Sequence, residues 1–582
     1  MSIAGAAELP TTFHRIAMRW TGERLVWVLL VAFVVGICII PLIFSLDAAF
    51  YEETNFGLSD VRSLAAIFAV YGTPEYYLYL WDSLVLGFIV TLLSVGIGIT
   101  MAMIIARTNI AFKRTLDLLV ILPLFLSPFI GLVSWIALGS QNSGFINVIA
   151  GTLMARLGIP VTPIVNIWSY AGIVWVMVLF FAPFCYLFTV GNLRAMDSSL
   201  EESARTSGAD AMQTLLKITL PMSMPAILSS ALLVFLLSIE MYPIPGMIGT
   251  TIGYTALPWK IYQDSTGFPT HFAHAAAAST LLLLIAIVGI WLQRRITRKA
   301  EHFVTVTGKG FNARPLPLGK WALPAIVLFV VYILAADVLP FGALIASSLM
   351  KFSSPVINPS VFTLQHLIDA FTSQEMQEAM WTTIWLAVVS GLVCVLIGGL
   401  ISYMEVRRAN LSARILAYLA VLPVAIPGIT YAVGLLWVFL RTPLYGSAWV
   451  LLFAYLARFL PYAVAVSRSG ILQIHQDLEQ SARMCGASGL STIRLVTLPL
   501  LKPTLIAILF FVMLMSMKEL SASVLLASQQ TPILSVLTWQ YTDSGDYQYA
   551  SAIGVVQSVM MIALIFITRA VFKVKLEKTF GT

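Results

Sequence analysis

Charged residues are scarce in this chain. Asp, Glu, Lys and Arg together make up 10% of its 582 residues, whereas soluble domains carry roughly 25%. Hydrophobic residues account for 59%, and the mean hydropathy is +0.91. A soluble fold has no place to bury so much apolar surface. The composition therefore excludes an ordinary soluble domain and predicts a protein that spans a membrane.

Patterns typical of cysteine, histidine and nucleotide sites are also missing. The four cysteines, Cys38, Cys185, Cys394 and Cys485, show no CxxC spacing, which argues against a disulfide framework and a zinc site. The six histidines form no HxH or HxxxH pattern, so no metal site is predicted. No GxxxxGK[ST] sequence occurs, so the chain lacks that loop for holding ATP phosphates. No catalytic residue is predicted.

What the chain does contain is a series of long apolar runs. A hydrocarbon layer about 30 Å thick requires roughly 17 to 25 mostly apolar residues per helical span. Runs of this kind predict an all-α membrane protein of about twelve transmembrane helices, arranged as two repeated six-helix halves. The predicted spans are 24–46, 83–106, 115–139, 166–190, 222–241, 272–292, 321–349, 382–404, 411–440, 448–467, 500–517 and 550–571.

The basic residues indicate how these spans are oriented. The net charge of +7 is concentrated in short clusters between apolar runs, a pattern typical of topology signals rather than of a nucleic-acid surface. Such clusters precede the first span, separate the second from the third, and follow the sixth. Loops rich in Lys and Arg lie in the cytoplasm, so both termini are predicted there. The first apolar run has spanning length and no convincing cleavage site after it, which favours a retained anchor.

One segment of the chain occurs twice. Residues 201–221 and 479–499 are identical at 10 of 21 positions without a gap, at a constant offset of 278 residues (479 − 201). Such a match indicates a duplicated unit. Weaker matches elsewhere pair Arg107 with Arg407, Pro123 with Pro423 and Pro128 with Pro427.

Each copy is an amphipathic segment with a glycine in its middle, Gly208 or Gly486. The pattern predicts a helix, a turn and a second helix. Glycine tolerates turn angles that are closed to other residues and lets another chain approach closely. Glu201 and Arg205, four residues apart, are expected to pair on one helix face. An ordinary helical hairpin is the plainer alternative, but it does not predict the same hairpin at the same place in both halves.

The repeated segment resembles the cytoplasmic EAA loop of the permeases of ATP-binding-cassette (ABC) importers, and the chain looks like two such permeases fused. The family signature is altered in its middle, which reads Glu202-Ser203 in one copy and Gln480-Ser481 in the other. Position by position, the resemblance assigns ATPase coupling to two matching sets of residues. They are Glu201, Ala204, Arg205, Gly208 and Ala209 in the first half and Glu479, Ala482, Arg483, Gly486 and Ala487 in the second.

The resemblance also implies a type I importer permease fold in a bacterial cytoplasmic membrane. It implies a first half at 1–299 with an EAA loop at about 194–221, a cytoplasmic linker at 300–320, and a second half at 321–582 with an EAA loop at about 472–499. Two copies of an ATPase subunit, which hold ATP and Mg, would dock on the two loops and drive alternating access. A periplasmic or extracellular binding protein would deliver the substrate. The chain itself needs no cofactor, no nucleic acid and no second permease chain.

The substrate is the harder question. Fused permeases of this size resemble ferric-iron importers, and Glu240 and Glu519, each just after a fifth span, are expected to occupy equivalent places facing each other near the outer mouth. An ionisable residue at the end of an apolar span is a functional candidate, and hard trivalent cations prefer oxygen ligands. Solvated surface acids are the alternative, with Lys518 neutralising Glu519 locally. Arg458, inside the tenth span, is expected to pack against a carbonyl or carboxylate.

Other substrates and one other class of transporter stay open. Permeases for thiamine, polyamine, phosphonate and sulfate share the architecture, and sequence alone separates them poorly. A secondary transporter also has twelve spans, but it needs a relay of buried acids or histidines inside the helices, and these spans are nearly free of acids. A structural membrane protein would not need the duplicated docking segment.

Overall fold

The computed structural model describes residues 25–54, 57–196, 199–300, 318–354, 359–408, 410–440 and 442–572. These residues are mostly helical, as predicted, and a two-stranded antiparallel sheet adds a small exception. The basic residues ahead of the first predicted span, most of the predicted linker and the lysines near the C-terminus lie outside the described residues.

The first half runs from α1 to α12, and the π-helical turns Val35–Ile39 and Leu215–Thr219 lie inside α1 and α9. Its elements are α1 (Leu25–Ala48), β1 (Tyr51–Thr54), β2 (Gly57–Arg62), α2 (Ala65–Gly72), α3 (Pro74–Arg107), α4 (Lys113–Ile121), α5 (Pro128–Gly139), α6 (Phe145–Arg156), α7 (Tyr170–Ala195), α8 (Ser199–Thr206), α9 (Met212–Glu240), α10 (Pro243–Ile252), α11 (Leu257–Thr266) and α12 (Phe272–Ala300).

The second half repeats this order with π-helical turns at the matching places, Leu334–Val338 and Ile493–Thr497. Its helices are α13 (Gly319–Ser348), α14 (Gln365–Thr372), α15 (Gln374–Arg408), α16 (Leu411–Val421), α17 (Gly428–Phe439), α18 (Ala448–Leu472), α19 (Gln476–Met484), α20 (Gly489–Met517), α21 (Ser523–Leu526), α22 (Leu534–Asp543) and α23 (Tyr547–Phe572).

The main difference between the two halves is one insertion. From α3 to α5 the second half follows the first at an offset of 300 residues (374 − 74), and from α7 to the end of α9 at 278 (448 − 170). The difference falls between α5 and α7, where the first half has residues 140–169 and the second has only 440–447. Helix α6 lies in this extra segment. The offset then shifts by only a few residues, to 277 at α11 and α22 (534 − 257) and to 275 at α12 and α23 (547 − 272).

The fifth span of each half is longer than predicted. Helices α9 and α20 start directly after the repeated glycines and continue through a π-helical turn. The predicted spans start only at 222 and 500, because the segment before each of them is amphipathic rather than uniformly apolar. The repeated segment is therefore continuous with the membrane-length helix that follows it.

The core is built around α7 and α18. Their apolar stretches are 78% and 72% buried, against 33% for α9 and α20. Helix α3 packs along α7, and α15 packs along α18. Small residues permit these close contacts: a Cβ on Gly98 would lie 2.7 Å from Cys185 Cβ, and a Cβ on Gly398 would lie 2.8 Å from Ala463 Cβ. The same small-residue contact thus recurs in both halves.

The first helix of each half packs against the other half. The last part of α1 packs against α17 of the second half, and the last part of α13 packs against α5 of the first. Ser45 donates a hydrogen bond to the Thr430 carbonyl at 3.2 Å, and a Cβ on Gly434 would lie only 2.1 Å from the Pro41 carbonyl oxygen. Because each half completes the packing of the other, the chain forms one bundle rather than two separate domains.

The third and ninth predicted spans are sharply bent. The axes of the helical pieces that end in α5 and in α17 turn by 98° and 107° from the pieces before them. Short 3₁₀ turns precede the bends, each with a proline, Pro123 or Pro423. A second proline, Pro128 or Pro427, follows at or just before the start of the next helix. Proline cannot donate the backbone hydrogen bond that a straight helix requires. The weak proline matches in the sequence thus mark equivalent bends.

Each bent pair still carries the chain across the bundle. Arg194, near the end of α7, binds Asp117 of α4 at 2.7 Å, so α7 ends where α4 begins. At the opposite end, the Tyr170 ring packs against Tyr254, whose hydroxyl donates to the Asp82 carbonyl of α3. Helices α3 and α7 therefore run in the same direction, and the chain must cross the bundle between them. Counting each bent pair as one crossing gives twelve helical crossings within the described part of the chain, the predicted number.

Candidate coupling and transport site

The two ends of the bundle carry different features. We call the end that holds the repeated segments the EAA end, and the end that holds β1 and β2 the β end. At the EAA end, the backbone N–H of Leu318 donates to Asn109 Oδ1 at 3.1 Å, which places the start of the second half beside the end of α3. The described chain thus returns to the EAA end between its two halves.

Glu201 of α8 is held inside the EAA end by two groups. Arg107, the last residue of α3, donates from Nε to Glu201 Oε1 at 2.9 Å, and the side chains of both residues are 8% exposed. Thr219 donates its hydroxyl to the same oxygen at 2.8 Å. The carboxylate therefore ties α8 to α3 and to the start of α9.

The second half reproduces this arrangement. Arg407 donates from Nε to Glu479 Oε1 at 3.1 Å, and the Thr497 hydroxyl donates to the same oxygen at 2.9 Å. Tyr403 adds a hydrogen bond to the other carboxylate oxygen at 3.3 Å. Arg407 also donates from Nη2 to the Ile474 carbonyl at 2.9 Å. We call each set of Arg, Glu and Thr the EAA clamp.

The clamp adds a partner that the spacing did not predict. Glu201 pairs with Arg107, and the side chain of Arg205, its expected partner, lies outside the described residues. Arg483, at the matching position in the second half, is exposed, whereas Glu479 is buried. The acids therefore position the segment, and the exposed residues around them form its outer surface.

The glycines that follow serve as helix stops. Gly208 and Gly486 have φ angles of +90° and +88°, in the left-handed region that favours glycine. The N–H of Ala209 donates to the Ala204 carbonyl at 3.0 Å, and Ala487 repeats this bond with Ala482 at 3.0 Å. This six-to-one bond is the Schellman helix ending. The paired alanines and glycine of the motif thus set the angle between α8 and α9, and between α19 and α20.

Beyond the clamps, the EAA end exposes apolar side chains. Met212 and Leu490 occupy matching positions and are 60% and 77% exposed. Leu216, Met484 and Leu495 are exposed beside them. Because these residues lie beyond the ends of α3 and α15, they are separate from the apolar belt of the spans. Exposed apolar residues next to polar ones are typical of a protein interaction surface.

The two candidate acids of the transport path meet on one arginine. Arg458 of α18 donates from Nη2 to Glu240 Oε1 at 2.9 Å, and its Nε lies 3.6 Å from Glu519 Oε1. Glu519 is buried and also accepts hydrogen bonds from the backbone N–H groups of Ala522 and Ser523. Arg458 thus packs against carboxylates, as expected, and it neutralises part of the negative charge proposed for this site.

Lys518 is the fourth charged residue at this place, and it shows that the two halves do not contribute equivalent residues. It donates from Nζ to the Leu124 carbonyl at 2.6 Å, in the 3₁₀ turn before the first bend. At the 278-residue offset, Lys518 corresponds to Glu240 and Glu519 to Met241. The expectation that the two acids occupy equivalent places is therefore wrong by one residue. We call Glu240, Arg458, Lys518 and Glu519 the central charge cluster.

The cluster also lies deeper than the outer mouth. Arg458 is the eleventh residue of the 25-residue helix α18, so it lies about 15 Å along the helix from its start. Residues at both bends line the cavities around it, including Leu124 and Pro128 of the first half and Pro423 and Pro427 of the second. The larger of these cavities has a volume of about 150 Å³. The cluster is thus near the middle of the bundle, where the two halves meet.

An aromatic layer lies between the cluster and the β end. Tyr242, two residues after Glu240, stacks on Tyr262 with ring centroids 5.3 Å apart. Trp259 stacks on Tyr262 at 5.0 Å, and Trp539 of the second half packs edge-on against Tyr262 at 5.7 Å. Because both halves contribute rings, a movement of one half relative to the other would change this layer.

The structure also brings together a group of three residues that no sequence motif indicates. Glu53 of β1 contacts two histidines, His271 and His274, through its two carboxylate oxygens, each at 2.8 Å from an Nδ1 atom. Neither the HxH nor the HxxxH pattern indicates this pair, because the two histidines are three residues apart. The third member is 218 residues away in sequence, so no local pattern reveals it.

Comparison with known sequences extends these observations. Residues 94–302 and 395–575 match the family described as binding-protein-dependent transport system inner membrane component. Each matched range contains one EAA clamp glutamate and its glycine. Among the described residues, the match begins within α3 in the first half and within α15 in the second.

Individual relatives are similar at modest identity. The chain is 25% identical over 498 residues to a ferric transport system permease protein of Actinobacillus pleuropneumoniae, covering 83% of this chain and 69% of the relative. It is 24% identical over 534 residues to an Fe(3+)-transport system permease protein of Haemophilus influenzae, covering 90% and 94%. A putative 2-aminoethylphosphonate transport system permease protein of Salmonella paratyphi A is 28% identical over 256 residues, covering 43% of this chain and 93% of the relative.

Proposed function

This chain belongs to the family of binding-protein-dependent transport system inner membrane components, and from that premise we propose that it is the fused permease of an ATP-driven importer of iron(III). The observation that carries the proposal is the pair of EAA clamps at one end of the bundle. Each clamp holds a short amphipathic helix against the bundle and leaves apolar residues such as Met212 and Leu490 exposed. Two such helices provide docking places for two ATPase subunits.

Coupling through the clamps follows from their connections. Each clamp joins three elements: the docking helix, the end of α3 or α15, and the start of α9 or α20. A displacement of the docking helix therefore moves the long helix that leads to Glu240 or Lys518. Closure of a partner ATPase pair would rock the halves against each other. The central charge cluster lies at the far end of both long helices, where such a movement changes access.

The direction of transport assigns the two ends. ATP is available in the cytoplasm, so the EAA end faces the cytoplasm and the β end faces the binding protein. This assignment agrees with the basic residues Arg107, Lys113 and Arg114 near the end of α3, since basic loops stay in the cytoplasm. Both termini then lie on the cytoplasmic side.

Iron(III) is favoured by the relatives and by the acids of the cluster. Two ferric transport permeases align with most of the chain. Glu240 and Glu519 supply the carboxylate oxygens that a hard cation prefers. In this structure Arg458 lies next to both acids, which offsets part of their negative charge in an apolar surrounding. We propose that the rocking movement withdraws Arg458 and exposes the carboxylates to the cation.

A second candidate substrate is an organophosphonate. The half-chain relative named for 2-aminoethylphosphonate supports it, and Arg458 and Lys518 are the donors that a phosphonate group would require. The two candidates make opposite demands on the cluster. A cation needs the acids free, whereas an oxyanion needs the basic residues free.

The composition of the complex tests the docking proposal. One chain supplies two EAA clamps, so we expect one copy of this permease to assemble with two ATPase subunits and with no second permease. Native mass spectrometry of the purified complex measures these copy numbers directly. A complex that holds two permease chains would contradict the proposal, because four docking helices would then be present.

A further inference from the structure

The group formed by Glu53, His271 and His274 has the arrangement of a metal site. Glu53 Oε2 lies 2.8 Å from His271 Nδ1, and Glu53 Oε1 lies 2.8 Å from His274 Nδ1. One potential ligand atom from each residue lies within 4.8 Å of the others. His274 is in the first turn of α12, His271 directly precedes that helix, and Glu53 belongs to β1. Three rigidly placed side chains therefore converge from two separate elements.

The group is accessible from the β end. The side chains of Glu53, His274 and His271 are 16%, 26% and 47% exposed, so an ion can enter from that side.

The donor set selects a class of metal. Two imidazole nitrogens and one carboxylate form the ligand set of many sites for zinc, iron(II) and other divalent transition metals. Metal–ligand distances of about 2.0 to 2.2 Å fit between atoms that now lie 2.8 Å apart across hydrogen bonds, with small rotations of the rings. A trivalent iron ion prefers all-oxygen ligands, so this group differs in chemistry from the central charge cluster.

The alternative to a metal site is a clasp, meaning side-chain contacts that only link β1 to α12. The second half shows which residues such a clasp requires. There the segment that corresponds to β1 is joined to α23 by a neutral hydrogen bond, from Gln548 Nε2 to Ser353 Oγ at 2.6 Å. Helix α23 starts 275 residues after α12 (547 − 272), so His271 and His274 correspond to Asp546 and Tyr549. Asp546 Oδ1 accepts from the backbone N–H of Tyr549 at 3.0 Å, at the start of α23. The same connection thus forms through a neutral pair and without a histidine, and the charged set in the first half exceeds what a clasp needs.

Neighbouring residues support the position of the histidines. The backbone N–H of His271 donates to the Asp264 carbonyl at 2.8 Å, which fixes the turn before α12. The Asp264 side chain is occupied by Lys260 at 2.8 Å and by the Tyr76 hydroxyl at 3.1 Å. The charges of Lys260 and Asp264 therefore offset each other beside the group, and neither blocks a cation.

We propose that Glu53, His271 and His274 bind one divalent transition-metal ion at the β end, linking β1 to α12. The ion would fasten the segment between α1 and α3 to the last helix of the first half. This site is distinct from the transport path, and it does not depend on which substrate is imported.

Titration of the purified, tag-free chain with Co²⁺ and Zn²⁺ tests the proposal after chelator treatment. We expect one equivalent of Co²⁺ to bind with a visible d–d absorption band, Zn²⁺ to displace it, and the metal to raise the Tm of the protein. The His271→Tyr, His274→Ala variant, which removes both imidazoles, should bind more than about tenfold more weakly. His366→Ala, which removes a histidine remote from the group, is the matched control and should bind as the wild type does.

Glu53→Gln separates a metal site from a clasp. Glutamine keeps the size of the side chain and an oxygen that accepts from the histidines, but it removes the negative charge. We expect the metal-free Tm to stay close to that of the wild type, and the rise of Tm with Co²⁺ to be lost. Equal Co²⁺ affinity in the wild type and the double histidine variant would overturn the proposal, as would no bound metal in the wild type. Neither readout involves transport, so these outcomes leave the proposed function untouched.

Discussion

Replacing Glu201 and Glu479 by alanine together is expected to abolish ATP-driven transport while the bundle stays in the membrane. Removing each acid leaves a buried arginine, Arg107 or Arg407, without its partner, which costs about 3–5 kcal/mol per site. The docking helices then lose their attachment to α3, α15 and the long helices that follow. Substrate uptake and stimulated ATPase activity, measured in proteoliposomes that contain the assembled complex, check this result.

Glu202 and Gln480 provide the matched control. Each is the next residue along the same helix and is exposed, and neither takes part in the EAA clamp. The Glu202→Ala, Gln480→Ala variant should keep most of its uptake. Wild-type uptake in the Glu201→Ala, Glu479→Ala variant would contradict the role of the clamps in coupling.

Removing the two acids of the central charge cluster is expected to lower both the stability of the protein and its uptake of iron(III). Glu240→Gln with Glu519→Gln removes both negative charges and leaves Arg458, whose side chain is 24% exposed, without a carboxylate. A partly buried charge without a partner is destabilising, so we expect a lower Tm together with lower uptake of iron(III). Basal ATPase activity, set at the other end of the bundle, should stay close to that of the wild type in the folded fraction.

A third substitution shows whether the acids do more than balance Arg458. Adding Arg458→Met to the double variant removes the unpaired charge and should return the Tm toward the wild-type value. If the carboxylates bind the cation, uptake of iron(III) stays low in this triple variant. Full recovery of uptake would show that the acids serve only as partners of Arg458, and the cation path would have to lie elsewhere.

The sequence predicted the fold well because its main signals are long and repeated. Twelve apolar runs and a 21-residue repeat leave few alternatives for the architecture. The bends after Pro123 and Pro423 were visible only as weak proline matches. Proline shows where a helix is interrupted, but the angle of the next helix depends on packing, here on α1 and α13 from the opposite halves.

The site was predictable where its chemistry is local. The positive φ angles of Gly208 and Gly486 follow directly from the residue type. The partner of Glu201 was missed because spacing favours Arg205, whereas Arg107 is 94 residues away. The match of Arg107 with Arg407 in the repeat was the available signal, since both residues lie in the last turn of the helix that receives the clamp.

The central charge cluster shows that the repeat does not predict which residues of the two halves meet at the centre of the bundle. Matching the acids by their surroundings paired Glu240 with Glu519, although the constant offset pairs Glu240 with Lys518. Arg458 enters from a different helix, and Phe180 occupies the matching position in the first half. The duplication therefore fixes the scaffold, while the residues that face the centre of the bundle differ between the halves.

Uptake into proteoliposomes tests the central claim, which is ATP-driven import of iron(III), most directly. The permease is reconstituted with its ATPase and supplied with its binding protein outside and ATP inside, where the EAA end faces the lumen. We predict that radiolabelled iron(III) accumulates only when ATP is present, and that labelled 2-aminoethylphosphonate does not accumulate. ATP-dependent accumulation of 2-aminoethylphosphonate without iron(III) would contradict the account and would assign the path to an anion held by Arg458 and Lys518.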